Sequence, residues 1–225
     1  MKNSVIVVSI GRDEHLNISL PTIENYCNKF DINLEIIKKS KWNFKKKNGY
    51  NYMTFEKNQV YNFYEKYDKI LRLDSDIIIT PNCPNLFELD DNNIYGVYED
   101  VGSRKNNRRN QIKLVKKSCG DILDWNSGYI NSGVVLASKK HKEIYNINDK
   151  IEKIYDINLG DFKEQTLLNW KIRNYGYNIV NLGYKYNHMS MFEKTHDLSY
   201  IIHFAGPQNG KVDKMKNVYK KFYKV

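Results

Sequence analysis

Asp74 and Asp76 are the residues whose type and spacing most plainly suggest chemistry. They stand one residue apart in Lys69-Ile70-Leu71-Arg72-Leu73-Asp74-Ser75-Asp76-Ile77-Ile78-Ile79, between two aliphatic runs. Carboxylates are poorly tolerated inside a sheet unless something neutralises them. Strand alternation puts both on one side of the backbone and Ser75 on the other. Paired hard oxygen ligands at the end of a buried strand suit Mg²⁺ or Mn²⁺ and leave positions open for a substrate's phosphate oxygens. The alternative is an acid-bearing turn between two strands, and the apolar flanks weigh against it.

The elements around this pair alternate between strand and helix. Val5 to Ile10 reads as a buried strand that stops at Gly11, and 17–30 has helical spacing, with Pro21 expected near its start. A second strand follows at 32–37, a basic loop at 45–51 and a helix at 55–67. Beyond the paired aspartates, strands are expected at 94–98, 129–137, 178–182 and 200–204, and helices at 139–155 and 163–175. The basic stretch 102–110 reads as a mobile loop. This alternation predicts an α/β fold with a mostly parallel central sheet flanked by helices, built as one domain over 1–225. In such sheets ligands bind beyond the carboxyl ends of the strands. Gly11, Asp74 to Asp76 and Tyr98 to Asp100 fall at such ends.

Composition narrows the classes. The chain has 225 residues, 41% of them hydrophobic, so it can bury a core and is not of disordered composition. Its formal charge of +10 would suit nucleic acid, an anionic membrane or a phosphorylated small substrate. The three cysteines, Cys27, Cys83 and Cys119, form no Cys-x-x-Cys pattern, so neither a disulfide framework nor a zinc site is expected. With no apolar run long enough to span a bilayer and no signal-peptide pattern, the expectation is a soluble cytoplasmic protein in a reducing compartment. A nucleic-acid-binding protein should concentrate its lysines, whereas here they are dispersed, and bare aspartates would repel phosphate. A sugar-phosphate nucleotidylyltransferase should carry a glycine-rich basic loop after the first strand, which Gly11-Arg12-Asp13-Glu14 does not supply.

Six segments, in order, together resemble one family. Val7-Val8-Ser9-Ile10-Gly11 is similar to a nucleoside-holding first strand, Phe55-Glu56-Lys57 to a Phe-Thr-Lys, and Leu73-Asp74-Ser75-Asp76 to a Leu-Asp-Ala-Asp metal site. Asn131-Ser132-Gly133-Val134 resembles an Asn-Ser-Gly strand, preferred over the triplet at Asn126 because an aliphatic strand follows it. Lys163-Glu164-Gln165-Thr166-Leu167-Leu168-Asn169 resembles an Asp-Gln-x-x-x-Asn helix, and His203-Phe204-Ala205-Gly206 opens a His-x-x-Gly-x-x-Lys-Pro-Trp element. The family is the GT-A glycosyltransferases, and within them family 8, the glycogenin and galactosyltransferase-like enzymes.

The resemblance implies a metal-dependent transfer of sugar from a nucleoside-diphosphate sugar, UDP-linked, to a hydroxyl of a carbohydrate or glycoconjugate acceptor, with retention of configuration. It implies Mn²⁺ or Mg²⁺ on Asp74, Asp76 and His203. By residue type alone His203 would be a core histidine. It implies donor contacts from Ser9, Ile10, Gly11, Arg12, Lys57, Asp74, Ser75, Gly206 and Lys211. Asn131, Glu164 and Gln165 would lie at the reacting sugar. Two departures are visible: Glu164 replaces the family's aspartate, and family spacing would put the late lysine at Asn209 rather than Lys211, with no Pro-Trp after it. Apart from the resemblance, the basic run Arg104 to Arg109 reads first as a solvated loop, with the lining of an acceptor cleft as the alternative. No nucleic-acid partner is expected.

Overall fold

A computed structural model describes residues 1–47, 49–148, 154–157, 159–192 and 194–224. The chain opens with β1 (Asn3–Val8), α1 (Asp13–Phe30) and β2 (Asn33–Ile37). A short hairpin, β3 (Lys46–Lys47) and β4 (Tyr50–Asn51), leads into a 3₁₀ helix at Tyr52–Gln59 and one α turn, α2 (Val60–Phe63). Then come β5 (Lys69–Asp74), β6 (Ile77–Ile79), β7 (Ile94–Gly96), α3 (Lys105–Cys119) and β8 (Val134–Ser138). After them come α4 (Lys163–Asn174), β9 (Ile179–Asn181), β10 (Ile201–His203) and α5 (Lys211–Tyr223).

The central sheet has six strands in the order β2-β1-β5-β8-β7-β9. All pairings are parallel except those of β8, which runs against both β5 and β7. The mostly parallel α/β architecture expected from the sequence is therefore present. The middle strands are buried on both faces, which is why they read as unbroken apolar runs. Val5, Val7, Leu71, Leu73, Val134 and Leu136 pack with Leu16, Ile23 and Tyr26 of α1. Ile6, Ile70, Val135 and Ala137 pack on the opposite face with Val60, Tyr64, Tyr145, Leu168 and Ile172.

Two pairings bring distant segments to the end of β5. Because β8 is antiparallel to β5, with Leu73 opposite Val134, its entry segment Asn131-Ser132-Gly133 lies beside Asp74. The Asp74 amide donates to the Gly133 carbonyl at 2.9 Å. β10 runs antiparallel to β6, with His203 opposite Ile77, so its last residue arrives at Asp76. The Phe204 amide donates to the Asp76 carbonyl at 3.0 Å. Ile78, Ile202, Phe204 and Met215 fasten this ribbon to α5.

Several elements differ from their sequence-based reading. The stretch at 102–110, expected as a loop, forms the start of α3. Four of its helix's residues are buried, Arg108, Gln111, Ile112 and Val115, and because two of them are polar the apolar stripe is masked. The segment expected as helix 55–67 is mainly 3₁₀. Its buried Tyr52, Phe55 and Asn58 repeat every three residues, the period of that helix. The expected helix at 139–155 is a 3₁₀ helix over Lys139–Tyr145, and 149–153 lie outside the described residues. The strand expected over 129–137 begins at Val134, with Ile130 making only an isolated bridge to Tyr98. The loop at 45–51 holds the hairpin, and β10 pairs with β6 instead of joining the main sheet. α1 begins at Asp13, so Pro21 lies in its interior, and α5 has no counterpart in the sequence reading.

Candidate active site

The carboxylates of Asp74 and Asp76 converge with the imidazole of His203: one ligand atom from each lies within 4.8 Å of the others. His203 Nε2 is 3.3 Å from Asp76 Oδ1 and 3.7 Å from Asp74 Oδ2. Each aspartate also has its own lysine. Lys57 Nζ lies 2.7 and 2.9 Å from the two oxygens of Asp74, and Lys211 Nζ lies 2.8 Å from Asp76 Oδ2. Burial by itself would raise both carboxyls. Lys57, Arg72 and His203 hold Asp74 below its usual range, and His203 and Lys211 hold Asp76 well below it. Both are therefore anionic at neutral pH. The donor set of two carboxylates and one imidazole fits a divalent transition metal.

The orientation of His203 is fixed by a chain of hydrogen bonds whose polarity runs one way. Glu99 can only accept, and it takes bonds from Arg108 Nε at 2.8 Å and Gln165 Nε2 at 2.6 Å. Gln165 thus presents its oxygen to Asn131 Nδ2, at 3.1 Å. Asn131 Oδ1 accepts from Asn187 Nδ2 at 3.0 Å, and Asn187 Oδ1 lies 2.9 Å from His203 Nδ1. The last link requires the hydrogen on Nδ1. In the neutral ring this leaves the lone pair of Nε2 toward the aspartates, which is the tautomer a metal ligand needs.

Backbone clamps hold this chain in place. The Asp100 carboxylate accepts the amides of Gly128 and Tyr129, and the Asn169 side chain bonds both the amide and the carbonyl of Ile130. Gly133 is required for space: a Cβ there would stand 2.2 Å from His203 Cε1 and 2.8 Å from Nδ1. Gly133→Ala must push the ring away from the aspartates. It is expected to weaken Mn²⁺ binding about 10–100-fold, the scale of disturbing a ligand's supporting shell, with a small change in melting temperature. Calorimetric Mn²⁺ titration in the presence of UDP checks this; wild-type affinity would mean that the ring position is immaterial.

Glu164, in the first turn of α4, completes the cluster. Its Oε2 accepts from Ser132 Oγ at 2.9 Å and lies 3.7 Å from Lys57 Nζ. Its Oε1 is 3.6 Å from Arg72 Nη1. The structure thus gathers Lys57, Asp74, Asp76, Asn131, Glu164, Gln165, His203 and Lys211 around one point, and Ser75 is buried between the aspartates. Ser9, Ile10, Gly11 and Arg12 follow β1, whose last residue Val8 is paired with Asp74. Gly11 has a φ of +65°, the left-handed turn that lets the chain enter α1. Gly206 follows β10, and neither it nor the four residues after β1 joins the cluster by a hydrogen bond or ion pair among the described residues. Lys211, two positions later than family spacing suggests, reaches Asp76 from the start of α5.

Sequence reasoning missed Asn187 and Arg72, and it marked Glu99 only as part of a strand end, with no role. Asn187 sits in a tyrosine-rich stretch with no periodicity to mark it. Arg72 was visible as a charge within an apolar strand. Arg108, expected to line a cleft, is buried, stacked 3.7 Å from the Phe162 ring centroid and paired with Glu99, which Arg104 also bonds. Burial would raise the Glu99 carboxyl, but Arg108, Arg104 and Gln165 hold it below its usual value. A depressed carboxyl stabilises the fold above its unfolded pKa, about 4.3, and that contribution is lost as pH falls through the folded value. Glu99→Gln is expected to cost about 3–5 kcal/mol at pH 7 by stranding a buried arginine. It should also flatten the fall of melting temperature below about pH 4.3 relative to wild type. Parallel melts across pH check both.

The sequence matches the model of the family described as glycosyl transferase family 8 over residues 3–210. No curated protein matches it. Among solved structures, a glycosyltransferase involved in glycosylation of the major capsid of PBCV-1 aligns with 14% identity and a TM-score of 0.66, covering 96% of this chain and 100% of that one. The galactosyltransferase LgtC, in complex with donor and acceptor sugar analogs, aligns with 15% identity and a TM-score of 0.65, covering 99% and 97%. Mouse xyloside xylosyltransferase 1 aligns with 12% identity and a TM-score of 0.54, covering 93% and 99%. At these identities the structural likeness is one of fold.

Proposed function

The chain belongs to glycosyl transferase family 8 and is a glycosyltransferase, and on that premise we propose that it transfers a sugar from a UDP-sugar to a hydroxyl of a carbohydrate or glycoconjugate acceptor, with retention of configuration. The observation that carries this reading is the cluster of Asp74, Asp76 and His203 at the carboxyl end of β5, with Lys57 and Lys211 on its two carboxylates. A Mn²⁺ or Mg²⁺ ion held by those three residues would neutralise charge developing on the departing diphosphate.

The chain's own residues supply the rest. Lys57 and Lys211, paired to aspartates here, exchange those partners for the phosphates of the donor. The turn Ser9-Ile10-Gly11-Arg12 offers backbone and a cation beside the same strand end, where the nucleoside lies. Ser75 and Gly206 flank the diphosphate, Ser75 between the two aspartates and Gly206 after His203. Asn131, Glu164 and Gln165 face the donor sugar. Gln165 Oε1 already accepts from Asn131 and from the Ser132 amide, at 3.1 and 3.0 Å. Its part is therefore to orient Asn131 and, through it, His203. No residue is assigned as a nucleophile. In a front-face transfer the leaving phosphate takes the acceptor's proton, and none is needed.

The rival readings fare less well. The chain lacks the glycine-rich loop that a nucleotidylyltransferase should carry after its first strand, and a nucleic-acid-binding protein would have no use for a buried two-aspartate cluster. No helix among the described residues is long and apolar enough to cross a membrane. The deciding experiment is a screen of nucleoside-diphosphate sugars with Mn²⁺, reading nucleoside diphosphate release without and with acceptor. UDP release from one UDP-sugar is expected. Release from no nucleotide sugar under any metal condition would end this reading.

A further inference from the structure

Arg72 lies in the middle of the central sheet, on the strand between β1 and β8, with a fully buried side chain. Its Nε, Nη1 and Nη2 have no hydrogen-bond partner among the described residues. A guanidinium so placed is costly, and an apolar side chain of similar volume would pack there at less cost. Its surroundings are the Tyr145 ring, 5.9 Å from the guanidinium carbon, and the Glu164 carboxylate, 3.6 Å from Nη1. Burial opposes the charge, and Glu164 first, then Tyr145 and Asp74, more than restore it.

Strand alternation places Arg72 on the same face as Asp74, one step deeper. The Glu164 carboxylate therefore stands between two cations. Arg72 lies on the Oε1 side, and Lys57 lies on the Oε2 side with Ser132 Oγ. The two cations differ in freedom. Lys57 is partly exposed and shared with Asp74, whereas Arg72 is sealed in the core.

We propose that Arg72 is a positioning residue for sugar transfer: from beneath the site it holds Glu164 in place and supplies its standing counter-charge. This rests on the reading of Glu164 as a group at the donor sugar. It also accounts for the glutamate where the family has aspartate, since the longer side chain reaches down to a cation in the sheet.

The test compares Arg72→Met, Arg72→Lys, Glu164→Gln and the double variant Arg72→Met with Glu164→Gln. For each, kcat, donor KM, UDP affinity and melting temperature are measured. Arg72→Met is expected to lower kcat about tenfold to a hundredfold, the scale of a misplaced group. Donor KM and UDP affinity should stay within about twofold of wild type, because Arg72 touches no substrate. Arg72→Lys should recover part of kcat. The double variant should turn over no more slowly than Glu164→Gln alone, and should melt higher than it, because the stranded cation is gone. Wild-type kcat in Arg72→Met overturns the proposal, as does a double variant whose losses multiply. Wild-type turnover in Glu164→Gln instead overturns the reading of Glu164, and the proposal with it. If Arg72→Met does not fold, Arg72→Lys is compared in two backgrounds, one with Glu164 intact and one carrying Glu164→Gln. A kcat loss confined to the first is expected; equal losses overturn the proposal.

Discussion

Asp76→Asn is expected to lower kcat/KM by about 10²–10³-fold or more, the scale of losing a preorganised charge at a developing anion. Asp76 is 4% exposed, and both of its oxygens are engaged, one toward His203 at 3.3 Å and one toward Lys211 at 2.8 Å. Asparagine keeps the shape but loses the charge, and it turns an N–H₂ toward a group that needs an oxygen. Asp74→Asn should behave alike, since Asp74 contributes the facing carboxylate and anchors Lys57. The melting temperature should fall only modestly: the sheet ladder at Asp74 is backbone, and the core beneath it is untouched. Chelation by EDTA should reproduce the loss in the wild type, and Mn²⁺ should reverse it. Full transfer activity in EDTA would refute the metal-dependent mechanism whatever the variants do.

Lys57→Ala is the second large effect. Lys57 Nζ lies within 3.7 Å of Asp74, Glu164 and Ser132 Oγ, at the junction between the metal carboxylates and the sugar-side carboxylate. Removing it leaves two anions facing one another where a diphosphate must enter. A loss of about tenfold to a few hundredfold in kcat/KM is expected, the worth of one or two charge-assisted hydrogen bonds. Donor hydrolysis and full transfer should suffer equally. The control is Lys105→Ala with Lys113→Ala, both exposed on α3, where charge acts as a general field. Arg108 is unsuitable for this control, because it is buried against Glu99. The control should change acceptor use more than donor hydrolysis and should fade with added salt. If both variants show equal, small, salt-screened losses, Lys57 has no particular role at the donor.

Much of this protein is determined by local sequence. The apolar runs of β1 and β5 specify buried strands because only a sheet covered on both faces accommodates them. The Asp-Ser-Asp spacing puts two carboxylates on one side of such a strand by alternation alone. The order of short motifs carries the family, and five of the six mark a segment with a residue in the cluster. Local pattern failed where burial is polar. α3 hides its helical stripe because Arg108 and Gln111 occupy inward positions.

What only the tertiary structure decided is which distant groups meet. The antiparallel entry of β8 delivers Asn131 to Gly133 to Asp74, and the pairing of β10 with β6 delivers His203 to Asp76; neither register is legible locally. The polarity of the chain from Glu99 through Gln165, Asn131 and Asn187 sets the tautomer of His203, and its members come from five separate parts of the sequence. Arg72 announced itself in the sequence as a charge among aliphatics. Its partner Glu164 is 92 positions away, and only folding brings the two within 3.6 Å. A strand specifies which side a residue faces, by alternation, while the charge that waits on that side depends on a helix packed there from elsewhere in the chain.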